Sequence, residues 1–152
     1  QDRLACGCAG TQVRTLAQEE AGQDAPAQPG RLQNWPVQLQ LVPVRAPYFD
    51  GCDLLIAADC TAYACGSFHA DFIRGHVTLI GCPKLDRADY EEKLTAILME
   101  NNVRSITLAR MEVPCCGGLE YAARQAVEAS GKSIPMRVVT FMADGKLLPQ
   151  DT

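Results

Sequence analysis

The sequence has no long hydrophobic run. Its longest uninterrupted apolar stretch is residues 54–58 (LLIAA), far short of the roughly 20 residues that span a bilayer. No basic-then-apolar pattern opens it, so neither a membrane segment nor an export signal is expected. Lys and Arg never cluster, and the net charge is −4. A nucleic-acid groove needs such a cluster to neutralise phosphates, so that class of partner is excluded. Neither G-x-G-x-x-G nor G-x-x-x-x-G-K occurs, so the usual backbone cradles for nucleotide phosphates are missing. There is no C-x-x-C, the close pairing from which structural zinc sites usually draw their ligands.

What remains has the composition of one ordinary globular domain: 152 residues, 47% hydrophobic and 21% charged. A chain of this length buries a core without staples. It nonetheless has eight cysteines, Cys6, Cys8, Cys52, Cys60, Cys65, Cys82, Cys115 and Cys116. Disulfide scaffolds use such numbers in short, loop-rich secreted chains. Here two of the cysteines are adjacent, and adjacent cysteines bridge each other only with strain. Thiols kept reduced in a cytoplasm, for metal or redox chemistry, fit better.

Residues 1–31 read as an N-terminal extension. It carries Cys6-Gly7-Cys8, a weak helical pattern around Val13 and Leu16, and an Ala/Gln/Pro/Gly connector over 19–30. Trp35-Pro36 opens the folded body, residues 32–152. Val37, Leu39 and Leu41 alternate with glutamines, which predicts a strand with one wet face. Residues 53–59 (DLLIAAD) and 77–81 (VTLIG) read as strands buried on both faces. A helix follows, capped by Asp86 or Asp89, with Tyr90, Leu94, Ile97 and Leu98 on one face. Residues 105–111 (SITLARM) form the next predicted strand. A second helix then carries Leu119, Ala122, Ala123, Ala126 and Val127 and stops at Gly131, and a last strand spans 137–142. Strands alternating with amphipathic helices predict right-handed crossovers, hence a three-layer Rossmann-like α/β fold with a parallel sheet.

That topology organises the cysteines. Cys60, Cys82 and Cys115-Cys116 each follow a predicted strand, and in a parallel sheet all strand C-termini share the edge where open α/β folds bind ligands. Four distant thiols are thus expected on one rim. Cys115-Cys116-Gly117-Gly118 also opens a helix, whose free N–H groups favour thiolates and anionic clusters. Scattered ligands, two of them adjacent, suit a polyatomic iron–sulfur cluster better than one zinc ion. Cys6 and Cys8 form a short chelating pair that supplies further ligands or remains a tail with exposed thiols. Cys52, at a strand start, reads as core and Cys65 stays undecided. His69 and His76 read as structural, as do Trp35, Tyr48 and Phe49. Asp59 and Glu112 either tune the site or serve turns.

The segment Cys82-x32-Cys115-Cys116-Gly117 resembles the first half of the CCG motif of heterodisulfide reductase subunits, but the C-x-x-C that completes that motif is missing. The strings LQNWPVQLQLVPVRAPYFDG (32–51), DLLIAADCTAY (53–63), IGCPKLD (80–86) and MEVPCCGG (111–118) resemble a family of ferredoxin-like, 4Fe-4S-binding proteins of anaerobic bacteria. That family's Cys-Gly-Cys-Pro-Gly is matched by Cys6-Gly7-Cys8-Ala9-Gly10. The resemblance implies Cys6, Cys8, Cys60, Cys82, Cys115 and Cys116 as the family's thiols, with Cys52 and Cys65 as extras. The expectation is a cytoplasmic protein holding a 4Fe-4S or larger cluster for electron transfer or redox chemistry. Its partner would be a redox protein such as a ferredoxin or oxidoreductase. Two alternatives stand: a thiol redox or sulfur-handling enzyme using Cys115 or Cys116, and a zinc-stabilised interaction module.

Overall fold

The computed structural model describes residues 9–18 and 26–149. Its centre is a four-stranded, all-parallel sheet of β1 (Asp53–Ala58), β2 (Val77–Gly81), β3 (Ser105–Met111) and β4 (Met136–Phe141), in the order β2-β1-β3-β4. The apolar runs DLLIAA and SITLARM lie in the middle of the sheet, where both faces are covered, and Leu54, Leu55 and Leu108 are fully buried there. The last strand begins and ends one residue earlier than its pattern predicts.

One face carries α2 (Tyr90–Glu100) and α3 (Gly117–Ser130), which pack against each other. Asp89 caps α2 by accepting the Glu92 amide at 3.2 Å. Tyr90, Leu94, Ile97 and Leu98 form its buried stripe, and full burial of each such side chain is worth about 1.5–3 kcal/mol. Gly131 ends α3 in the left-handed region at φ +73°. The opposite face carries α1 (Thr61–Ala64) and a π-helical turn, His69–Ile73. There Phe68 and Phe72 pack edge-on against Phe141 of β4. Three layers result, as expected. The helical β1–β2 crossover has only the four residues of α1 and this turn, too short to give a readable helical period.

The predicted strand over 37–41 shrinks to one parallel bridge, Gln38 to Ile80. After it the amides of Leu41 and Val42 turn back onto the Gln38 carbonyl. The buried side chains are Leu39 and Val42, a turn's spacing, while Leu41 is 69% exposed. The β2 edge is completed by a side chain instead. The Asn34 amide donates to the Thr78 carbonyl and accepts the Thr78 N–H, both at 2.9 Å. With Asn34 turned inward, Trp35 points out and is 77% exposed, against the expectation of core packing. Phe49 is buried as expected and Tyr48 half-buried against the core.

The N-terminal helical pattern does not form a helix. Residues 12–18 have no regular structure, and among the described residues none covers Val13, which is 98% exposed. The segment is tied down elsewhere. A 3-10 turn, Ala9–Thr11, lies against the turn Pro114–Cys116, and Arg14 pairs with Glu112 at 2.9 Å. Cys6, Cys8 and connector residues 19–25 lie outside the described residues. Among the described residues no helix is long and apolar enough to cross a membrane.

Candidate cysteine-lined site

In the order β2-β1-β3-β4 the chain leaves β1 toward one edge and returns to add β3 on its other side. The crevice beyond the C-terminal ends of β1 and β3 is therefore the switch point at which open α/β sheets bind ligands. Cys60 caps the short helix just after β1, Cys82 follows β2, and Cys115 and Cys116 lie in the turn after β3. All four lie beyond the C-terminal ends of strands. Cys60 is exposed, Cys82 and Cys115 half-buried, and Cys116 buried. Desolvation, then the neighbouring Cys82, Asp59 and Cys115, push the Cys60 thiol upward.

Two networks fix the turns. At the first, the Cys82 amide donates to the Tyr90 hydroxyl at 2.9 Å and lies 3.4 Å from Asp86 Oδ2, while the hydroxyl donates to Asp86. Gly81 leaves the space this needs, since a Cβ there would stand 2.7 Å from the Tyr90 oxygen. Burial and the Asp86 contact push the Tyr90 pKa well up, so the phenol stays a donor. At the second, Arg110 of β3 donates to the Met111 carbonyl at 3.2 Å, the Val113 carbonyl at 3.3 Å and Glu120 of α3 at 3.0 Å. Burial alone would raise Glu120, but hydrogen bonds from Arg110 and Arg124 outweigh it and hold the carboxyl below its usual range. Arg110 thereby staples the Cys115-Cys116 turn to the helix it opens. Pro83 meets Gly118, where a Cβ would come within 3.2 Å, and this contact joins the Cys82 turn to the Cys115-Cys116 turn. At Gly117, by contrast, a Cβ would meet Arg110 only at an ordinary 3.6 Å.

Burial pushes the Cys116 thiol up, and Cys115 adds to this; an amide bond at Met111 and the Arg110 charge offset it in part. Cys52 is raised to about 11, chiefly by burial and then by Asp53, as befits a core thiol. Cys65 is buried, 3.8 Å from the Ser67 hydroxyl. His69 accepts the Arg31 amide and His76 bonds the Arg74 carbonyl, each at 3.0 Å, so both histidines serve the backbone. Asp59 is raised by burial and by Asp86, with a hydrogen bond from Gln38 opposing. Among the described residues no three His, Cys, Asp or Glu side chains are grouped to hold a metal ion. Tyr90, Arg110 and Pro83 escaped the sequence reading as site residues. For Pro83 and Tyr90 the signal was short spacing from a thiol: Pro83 follows Cys82 directly, and Asp86 and Tyr90 stand four and eight positions after it.

A family model described as a Rossmann-like domain matches residues 46–152. An uncharacterized protein of Archaeoglobus fulgidus is 30% identical over 119 residues, covering 78% of this chain and 84% of that protein. No solved structure matches the chain. The parallel sheet, its crossovers and the extent of the match agree: the chain belongs to this Rossmann-like domain family.

Proposed function

We propose that this chain is an iron–sulfur protein. Cys60, Cys82, Cys115 and Cys116 would hold a cluster of the 4Fe-4S kind or larger at the C-terminal rim of the sheet, and Cys6 and Cys8 complete or cover it. The observation that carries this reading is the convergence at one switch point. Cys60 lies within electrostatic reach of both Cys82 and Cys115, and the 3-10 turn that follows Cys8 lies against the turn bearing Cys115 and Cys116. The donor set suits the group. It is all sulfur and comes from the ends of three strands, as the ligands of a polyatomic cluster can. The resemblance of residues 32–118 to ferredoxin-like proteins of anaerobes supports the same assignment.

When bound, the cluster supplies one-electron chemistry. The chain's own residues do the rest. Tyr90 and Asp86 fix the Cys82 turn, and Arg110 fixes the Cys115-Cys116 turn while setting a cation beside an anionic site. The function we assign is electron transfer or redox chemistry with a partner protein such as a ferredoxin or oxidoreductase, in the cytoplasm of an anaerobe. Cys116 as an enzymatic nucleophile is disfavoured by its burial, 7% exposed. A zinc module is disfavoured by the absence of close cysteine pairs of the C-x-x-C kind.

The test is a set of single alanine variants, expressed anaerobically and counted for iron and acid-labile sulfide. Alanine at Cys60, Cys82, Cys115 or Cys116 is expected to remove at least half the iron. Full iron in all four variants, or one zinc and no sulfide in the parent protein, would sink the proposal.

A further inference from the structure

A cleft of about 380 Å³ runs over β1 and β2 on the α1 face of the sheet, walled chiefly by Leu32, Val37, Ala57, Phe68, Ile73 and Ile80. Two oxygens in this apolar lining have no hydrogen-bond partner, Asp59 Oδ1 and Thr78 Oγ1. Thr78 is only 2% exposed. A buried oxygen left unpaired is costly, and native interiors keep few of them. Neighbouring polar atoms along the cleft are already engaged. Thr61 Oγ1 donates to the Ala58 carbonyl at 2.8 Å, and His69 Nδ1 accepts the Arg31 amide at 3.0 Å.

The two oxygens are far apart. Thr78 pairs with Leu55 and Ile80 with Ala57, which sets Asp59 four positions along the sheet from Thr78, on the order of 13 Å. The cleft therefore has a polar point toward each end and an apolar middle. Among the described residues of its wall Asp59 is the only Asp, Glu, Lys or Arg; Gln38 hydrogen-bonds its carboxyl but leaves Oδ1 without a partner, and Asp86 adds negative potential from nearby. We infer that the cleft binds a small elongated molecule with an apolar body, a cationic amine against Asp59 and a hydrogen-bonding group such as a hydroxyl against Thr78. Because Asp59 precedes Cys60, the amine end lies at the sulfur-bearing rim.

This inference does not depend on the cluster, and its test separates the two. Calorimetric titrations of the full chain, with and without reconstituted iron, would use 6-aminohexan-1-ol, hexane-1,6-diol and 6-hydroxyhexanoate as probes. The amino alcohol is expected to bind at least about tenfold more tightly than the other two in both preparations, reflecting a charge-assisted contact. Asp59→Asn, checked by circular dichroism, erases that preference. Ala62→Leu, at an exposed position lining the cleft, weakens the amino alcohol at least several-fold and decides the matter if the Asn variant does not fold. No saturable binding, equal affinities for the three probes, or a crystal structure with water bonded to both oxygens and no amine after soaking would overturn the inference.

Discussion

The backbone amide of Cys82 donates to the Tyr90 hydroxyl at 2.9 Å, joining the end of one strand to the first residue of the helix that follows. The contact closes because Gly81 leaves space for the phenol. One face of the Cys82 turn is thus held by a side chain that also belongs to the core, so the geometry at the thiol is tied to the packing of α2.

Tyr90→Phe removes that hydroxyl and leaves the Cys82 amide and Asp86 without it. We expect a stability loss of about 1–3 kcal/mol in urea unfolding at neutral pH. A variant as stable as the parent would show that the contact does not hold the turn.

Gly118→Ala places a methyl group 3.2 Å from Pro83. One of the two turns must move by a few tenths of an ångström, and the separation of Cys82 from Cys115 changes with it. Iron content is expected to fall while far-UV circular dichroism stays that of the parent. Unchanged iron would mean that this contact does not set the thiol spacing.

Cys65→Ala and Cys52→Ala are the counterpart. Cys65 packs in the core, and Cys52 sits at the N-terminal end of β1, away from the rim. Both variants are expected to keep full iron and sulfide and to lose about 1 kcal/mol or so of stability through the small void left behind. Loss of iron in either would add a ligand the present account does not contain.

At the N-terminal end of the sheet, hydrogen bonds from Arg104 and Ser105 hold the Asp53 carboxyl down at about 2, against an ordinary value of 3.8. A depressed carboxylate pKa stabilises the fold above the ordinary value, and that contribution is lost as pH falls from 3.8 through about 2. Because the pair faces solvent the effect is small, about 1 kcal/mol or less. Asp53→Asn should flatten the stability curve in that window and leave it unchanged in shape near neutrality. An identical acid limb in the variant would remove Asp53 from the account.

Much of this molecule is legible in its residues. The runs LLIAA, VTLIG and SITLARM declare buried strands, and the stripe from Tyr90 to Leu98 declares α2, because burial on a fixed period leaves its mark in the chain. The rim of Cys60, Cys82, Cys115 and Cys116 follows from parallel connectivity alone. Three things are not legible. Trp35 is large and apolar yet exposed, because Asn34 takes the inward place to complete the edge of β2. The stripe Val37, Leu39, Leu41 mimics a strand over a stretch that makes one bridge and turns. The Arg110 staple depends on a tertiary approach between β3 and α3 that no local spacing records.

The most direct test of the central claim is the visible absorption spectrum of the anaerobically purified protein, with iron and acid-labile sulfide counted per chain. The account predicts a brown protein with broad absorption in the visible and with iron and sulfide in near-equal amounts, both lost when Cys60 and Cys115 are replaced together by alanine. A colourless protein without iron or sulfide, from a preparation never exposed to air and after reconstitution with iron and sulfide, would contradict it.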